Sequence, residues 1–433
     1  MTSTVPATSP ASPPVCATSP ASPPVPAPAA LSPTAAPAVP EAEGQDPGDT
    51  GDTGDTGVRV PYPELLAFVT GVLAGRGLPE GRAALAAEAL CHGDLTGFTS
   101  HGVTNLTRIY LPLLDSGRCD PRAQPHILAD HGASVLLDAR RALGLWAAAE
   151  AMDLAVERAR RYGVGMVSVR GATHFGCAGH HALRAVRHHM VGLVTANCGR
   201  QRIVRPVGGL PPMLGTNPLA LAAPAGDRPP FVLDMATTVA PTGRVRAAAR
   251  AGRSVPAGWL HDDEGAPVTD PAAFDRGEAH LNWLGGVPET GAFKGFGLGL
   301  LVEVLSALVP GAGLGPPGAA PDGTPRTAEA EPAGPDDDIG CFLLAVAPGR
   351  LRPEAEFLTD ADRLFAALLG CPPVRADRPV RYPGWPEDAR CRDRRAHGVP
   401  LTAALHRELL GLARGSGLRF PAPCAPAEPG SPV

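Results

Sequence analysis

Four segments of this chain bring together residue types that can do chemistry. The first, Asp94-Leu-Thr-Gly-Phe-Thr-Ser-His-Gly-Val103, sets Ser100 and His101 at the entrance of a helix predicted to begin near Val103. Ser100 is a natural N-cap there. The positive end of the helix dipole lowers the pKa of a histidine so placed and eases proton donation, while Asp94 could orient the ring and oppose that shift. The same residues would equally make a capping histidine with a structural hydrogen bond. The second segment, Gly171-Ala-Thr-His-Phe-Gly-Cys-Ala-Gly-His-His181, follows a strand-like run and leads into a helix, a common ligand position. Its His174, Cys177, His180 and His181 also invite a zinc reading, although no second cluster completes a familiar zinc spacing and His180 and His181 would serve as well to cover a helix surface.

The third segment pairs the turn Leu214-Gly-Thr-Asn-Pro-Leu219 with Phe231-Val-Leu-Asp-Met-Ala-Thr-Thr238. Thr216 and Asn217 offer backbone N–H groups and short donors, and Asp234 to Thr237 offer acceptors and hydroxyls, so either could hold a ribose or a phosphate. The fourth is Gly291-Ala-Phe-Lys-Gly-Phe-Gly297, where Lys294 is the only lysine among 38 basic residues. A chain so biased toward arginine that keeps one lysine in a Gly-rich helix entry suggests a site needing a compact ammonium. The G-x-G-x-x-G dinucleotide fingerprint is missing: Gly295, Gly297 and Gly299 fall inside an apolar helical pattern with no preceding strand.

The elements that must position these segments alternate. Helical patterns are predicted over 63–73, 82–90 and 103–116, then over 142–162, 178–188 and 296–308; strands are predicted over 164–169, 191–196 and 231–234. This order argues an α/β fold with a helical N-terminal part, without committing to a parallel sheet. Residues 1–57 repeat ATSPASPPV twice and then run GDTGDTGDTG, residues 311–338 are similarly rich in Gly, Pro and Ala, and residues 421–433 are Pro-rich. Such stretches bury too little apolar surface to offset chain entropy of about 1 to 2 kcal/mol per residue, so they are expected to be disordered tails and an inserted low-complexity loop. The catalytic part is then 58–420. A net charge of -5 supplies no basic field for nucleic acid or anionic lipid. Nine scattered cysteines form no CxxC pair and read as reduced thiols, and the start shows no secretory pattern, so cytoplasm is the default expectation.

Taken in order, Ser-His-Gly at 100–102, His-Phe-Gly-x-Ala-Gly at 174–179, Gly-Thr-Asn-Pro at 215–218, Asp-Met-Ala-Thr at 234–237 and Lys-Gly-Phe-Gly at 294–297 resemble a known set. It is that of the malate/L-lactate dehydrogenase family of non-Rossmann type, which includes ureidoglycolate, sulfolactate and diketogulonate dehydrogenases and piperideine/pyrroline-2-carboxylate reductases. The resemblance implies a homodimer that binds NAD or NADP and a small carboxylate substrate, a 2-oxo or 2-hydroxy acid or a cyclic imino acid. By the same resemblance His101 is the proton donor and His174 lines the active site. Cys198, Thr216, Asn217, Asp234, Met235, Ala236 and Thr237 would meet the cofactor, with Lys294 and Gly295 closing its pocket. Ser100 and Asn105 would stand on the substrate side. Most members carry arginine at the positions of Thr96 and Asn105, serine at Cys198, lysine at Arg244 and glutamate at Trp385. Loss of a guanidinium fork at Asn105 shifts the task of holding a substrate carboxylate to Arg108, one turn on. Two other readings are a cofactor-binding homologue that has lost turnover and, more remotely, a zinc-dependent hydrolase using His174, Cys177 and His180.

Overall fold

The computed structural model describes residues 57–316 and 338–424. Most of the two expected tails and of the inserted loop, residues 1–56, 317–337 and 425–433, therefore lies outside the described residues. The chain enters through a short strand, β1 (Val58–Val60), and two helices, α1 (Tyr62–Gly75) and α2 (Glu80–Thr96). Leu65, Phe68, Val69, Val72 and Leu73 recur at helical spacing and form the buried stripe of α1. Gly97, at φ 98°, ends α2 in the left-handed conformation that most side chains resist.

The helix predicted over 103–116 is present as one helical run over 104–115, with a π-helical turn inside it. A single 3-10 turn (Thr99–His101) is followed by a π-helical turn (Leu106–Tyr110) and then α3 (Leu111–Asp115). Pro112 is the physical reason: it has no N–H to give to the preceding turn, and a widened turn upstream absorbs the mismatch.

The central layer is built from β2 (His126–Asp130), β3 (Ser134–Ala142), α4 (Gly144–Tyr162), β4 (Val164–Ala172), α5 (Ala178–Val186), β5 (Val191–Ala196), β6 (Leu219–Ala225) and β7 (Arg228–Met235). After these come α6 (Thr242–Arg250), the small strands β8 (Leu260–His261) and β9 (Pro267–Val268), α7 (Ala272–Asp275), β10 (His280–Leu281) and α8 (Ala292–Glu303). A second π-helical stretch (Val304–Leu308) extends α8, and β11 (Ile339–Val346), α9 (Glu354–Leu369), α10 (Trp385–His397), β12 (Val399–Leu401) and α11 (Ala403–Ser416) complete the described chain.

Seven strands form one mixed sheet in the order β2-β3-β4-β11-β5-β6-β7, and within it only β3 and β4 run parallel. The single β3-α4-β4 crossover supplies that parallel pair. The late strand β11 then slots between β4 and β5, so the sheet cannot close until the chain has returned from α8. This is α/β architecture without a doubly wound nucleotide-binding half. Helix α4 presents Leu145, Trp146, Met152 and Val156 to the core, and at Gly165 a Cβ would stand 1.9 Å from the Ala155 carbonyl oxygen, so strand and helix meet backbone to backbone. A second, smaller core gathers Val204, Leu214, Val245, Leu260, Leu281 and Trp283 around the three-stranded sheet β10-β8-β9. Near the C-terminus β12 pairs with β1, Phe420 packs edge-on to Phe68 at 5.0 Å, and the Cys424 N–H donates to the Arg59 carbonyl at 2.7 Å. The packed chain thus continues past Pro421, where the Pro-rich tail was expected to begin, because Phe420 and Pro421 bury against it.

Candidate active site

His101 and His174 come from segments far apart in sequence and stand with their rings nearly parallel, centroids 5.9 Å apart. His101 closes the 3-10 turn after α2. A buried carboxylate fixes that turn: Asp94 accepts the Val103 N–H at 2.7 Å, and a Cβ on Gly102 would fall 2.3 Å from an Asp94 oxygen, so only glycine fits. Asp94 therefore braces the backbone rather than the imidazole. Ser100 does not cap a helix either. Its hydroxyl lies 3.1 Å from His101 Nδ1 and its carbonyl accepts the Asn105 amide at 2.8 Å, and the helical run starts only at Thr104, too far along the chain for Ser100 to cap it.

His174 follows β4. Its Nδ1 accepts the Gly176 N–H at 3.3 Å and lies 2.7 Å from the hydroxyl of the wholly buried Tyr110. Because a backbone N–H can only donate, Nδ1 is the bare nitrogen; Tyr110 then donates to it, and in the neutral ring the proton sits on Nε2. Burial pushes both imidazoles down to about 4, His174 beside His101 adding to the effect on the latter. The lowering expected at His101 is present, but its cause is loss of solvent rather than a helix dipole. Asp94 is pushed up to about 7 by burial, against the opposing pull of the Val103 N–H and of Arg394.

The other expected residues divide into three groups. Asp234, at the end of β7, accepts the Gly179 N–H at 2.7 Å and so ties the His174 loop to the Asp-Met-Ala-Thr strand end; burial pushes its carboxyl up to about 6. Met235 and Ala236 beside it are half-buried, as are Cys198 and Thr216, whose Sγ and hydroxyl oxygen lie 3.9 Å apart. Asn217, Thr237, Gly295 and Asn105 are buried and already engaged. The Asn217 amide donates to the Gly299 carbonyl at 2.9 Å and to Glu303 at 2.8 Å, the Thr237 hydroxyl donates to the Thr216 carbonyl at 3.0 Å, and Gly295 has Leu284 backbone where a Cβ would stand. The Asn105, Asn217 and Thr237 side chains are thus spent on internal hydrogen bonds. Lys294 and Arg108 form the third group, both exposed. The Lys294 ammonium lies 5.9 Å from the Phe293 ring on the first turn of α8, and no hydrogen bond or ion pair joins it to His101 among the described residues. Arg108 sits on the π-helical turn that follows the His101 loop, close enough to Arg250 on α6 to help hold the latter's pKa down, after burial.

Two partners escaped the sequence reading. Tyr110 gave no signal beyond helical spacing. Glu303 did: it is the single acid in the apolar run from Phe293 to Val309, and such an isolated charge marks a buried, hydrogen-bonded carboxylate. It joins Asn197 and Asn217 at 3.3 and 2.8 Å, locking α8 to the ends of β5 and β6. As for zinc, among the described residues no group of three or more His, Cys, Asp or Glu side chains is arranged to hold a metal ion. His181 instead donates through Nε2 to the Phe175 carbonyl at 2.9 Å.

Residues 60–410 match the family model described as malate/L-lactate dehydrogenase. The chain belongs to that family. Among relatives, the malate dehydrogenase of Pyrococcus abyssi is 39% identical over 255 residues, 59% of this chain and 69% of that protein. The L-sulfolactate dehydrogenase of Methanothermobacter thermautotrophicus is 31% identical over 82% of this chain and 97% of its own length. Among solved structures, malate dehydrogenase from Entamoeba histolytica superposes with a TM-score of 0.77 at 28% identity, covering 84% of this chain and all of that one. The delta1-piperideine-2-carboxylate reductase of Pseudomonas syringae does so with a TM-score of 0.69 at 28% identity, covering 82% and 99%. Membership of this family makes the protein an oxidoreductase of small hydroxy acids. No helix among the described residues is long and apolar enough to cross a membrane.

Proposed function

We propose that this family member transfers a hydride between NAD or NADP and a small 2-oxo or 2-hydroxy acid, with His101 moving the proton. The facing pair of neutral imidazoles carries the reading: two rings from different segments, one held in a fixed tautomer by Tyr110, at the seam of the 3-10 turn, the β4 loop and, through Asp234, the end of β7. The residues fit a nicotinamide cofactor. The half-buried edge made by Cys198, Thr216, Met235 and Ala236 presents thiol, hydroxyl and backbone groups, a polar lining without net charge that suits a carboxamide and ribose.

When bound, the cofactor supplies or accepts the hydride. His101 does the rest of the bond-making work. Held near 4 in the free protein, its ring is neutral at pH 7 and ready to accept the hydroxyl proton of a 2-hydroxy acid. In the reducing direction it must carry a proton, and the negative charge of an arriving carboxylate raises its pKa toward that state. His174, with its proton on Nε2, donates a hydrogen bond to the substrate. Arg108 holds the substrate carboxylate from the adjoining π-helical turn, with Arg250 adding positive potential at the same mouth. Reduction is therefore expected to quicken as pH falls, and oxidation as it rises.

A second copy of the chain completes the assembly in this reading. Phe293, Leu300, Leu301, Val304 and Leu308 lie along one face of α8 and its π-helical extension and are all exposed, Phe293 to 63%. Burying that stripe in a homodimer would also enclose Lys294, which is exposed in the single chain. Sedimentation velocity should give twice the monomer mass; a monomer at micromolar concentration contradicts this part.

The deciding assay mixes purified protein with NADH or NADPH and, in turn, malate-type and sulfonated 2-oxo acids, pyruvate and a cyclic imino acid, following loss of absorbance at 340 nm. Consumption with any keto acid supports the proposal. Consumption with the cyclic imine alone moves the substrate to C=N, the chemistry named for the Pseudomonas syringae neighbour. Cofactor binding without turnover on any of them would identify a homologue that has lost activity. In the active case, Arg108→Ala should raise KM for the carboxylate substrate at least tenfold with kcat little changed; an unchanged KM would free Arg108 from this role.

A further inference from the structure

A polar hollow of about 560 Å³ opens where β3 gives way to α4, lined by Asp120, Arg122, Gln124, Asp138, Arg140 and Arg141. It belongs to a different part of the sheet from the His101 turn, and none of the residues expected at the redox site lines it. Its backbone is unusual. Arg140 and Arg141 stand at φ 53° and 63°, two successive non-glycine residues in the left-handed region, and the pairing of β3 with β4 slips between Asp138 and Ala142. L-residues resist that conformation, and it persists only where surrounding bonds dictate it.

Those bonds are present. The Arg140 N–H donates to Asp138 at 2.9 Å, the Arg141 carbonyl accepts the Asp120 N–H at 2.9 Å, and the Arg141 guanidinium donates to the Gly117 carbonyl at 2.9 Å. The outcome is that two arginines whose side chains an ordinary strand would send to opposite faces both line one hollow, together with Arg122.

The charges in the lining do not cancel. Asp138 is already paired with Arg170 at 3.2 Å, while Asp120, which accepts the Arg122 backbone N–H at 2.9 Å, keeps its charge, so three guanidinium groups stand against one carboxylate without a cationic partner. Arg122 and Arg140 have no acidic partner among the described residues. Three arginines around one hollow, with strain retained at two of them, suit an oxyanion carrying more than one negative charge, and the space left over admits the rest of a small ester.

We propose that this hollow is a second binding site, for a phosphate group, either inorganic phosphate or the phosphate of a small ester. The strained segment leads directly toward the active site. The Thr173 hydroxyl bridges the Ala142 carbonyl and the Gly144 N–H at 3.3 and 3.0 Å, and a Cβ on Gly144 would stand 2.7 Å from the His174 carbonyl oxygen. An anion that fixes Arg140 and Arg141 therefore fixes the residues on which His174 rests.

The test is calorimetric titration of the full chain with inorganic phosphate and, in a separate arm, with glycerol phosphate, at ionic strength held constant with sodium chloride. Saturable one-site binding is expected, weakened at least tenfold in the double variant Arg122→Gln/Arg140→Asn. Asparagine tolerates the left-handed backbone and keeps the segment folded. Should that variant fail to fold, Arg122→Gln alone, at an exposed loop position, must weaken binding severalfold. Tighter binding of the ester identifies the source as a metabolite, and equal binding identifies the free ion. Absence of saturable binding to the unmodified protein, or equal affinity in the variant, overturns the proposal.

Discussion

Acidification from pH 7 to pH 5 should destabilise the fold by about 4 kcal/mol, and the buried imidazoles are the reason. His92, His101, His174 and His181 are each held near 4, burial being the first cause in every case, whereas histidines of the unfolded chain titrate near 6.5. A depressed histidine contributes stability that is complete above the unfolded value and lost as pH falls toward the folded one. Between pH 7 and 5 each ring thus loses about 2 kcal/mol, about 8 kcal/mol for the four. Asp94 and Asp234 work in the opposite direction. Burial raises them to about 7 and about 6, so they favour the fold at low pH and lose that contribution as pH rises. Over the same window they return about 4 kcal/mol, and the histidines prevail. His180, held well below its ordinary value with Nε2 buried and unpartnered, pushes the same way as the other rings. Urea unfolding at pH 7, 6 and 5, with m held constant, measures the effect, and His92→Phe should remove about a quarter of the gross histidine loss. Stability that is flat or rises on acidification would refute the reasoning.

Two further outcomes follow from individual contacts. Tyr110→Phe deletes the donor to His174 Nδ1 while the Gly176 N–H remains, so turnover should fall about tenfold with cofactor affinity unchanged, at a cost of about 1 kcal/mol in stability; steady-state kinetics and thermal unfolding check both. Asn217→Ala strips the amide shared by Glu303 and the Gly299 carbonyl and leaves a buried carboxylate short of a donor, which should cost about 2 to 3 kcal/mol in urea unfolding.

Local pattern made much of the scaffold legible. The strand predicted over 191–196 is the observed β5, and α4 starts two residues inside the predicted 142–162 because Leu143 is extended. Beyond that, β6 escaped notice because Leu-Ala-Leu-Ala-Ala-Pro-Ala is as helical in composition as it is strand-like, and only pairing with β5 and β7 decides it. The site was legible as residue types but not as contacts. Ser-His-Gly and His-Phe-Gly point to two imidazoles, yet nothing local tells that Asp94 serves the Val103 N–H rather than His101, or that Asn105 and Asn217 turn inward. Side-chain direction depends on neighbours brought in from elsewhere in the chain. The π-helical turn carrying Arg108 is of the same kind, a compromise between Pro112 and the packing of Leu106 and Tyr110.

Single-turnover oxidation of bound NADH or NADPH by the keto acid that the panel identifies, compared between the unmodified protein and His101→Ala, tests the central claim most directly. The variant should bind the cofactor with affinity within about threefold of the original while hydride transfer slows by roughly two to four orders of magnitude, the span for loss of a general acid. Transfer at the original rate would show that the proton comes from elsewhere and would contradict the role given to His101.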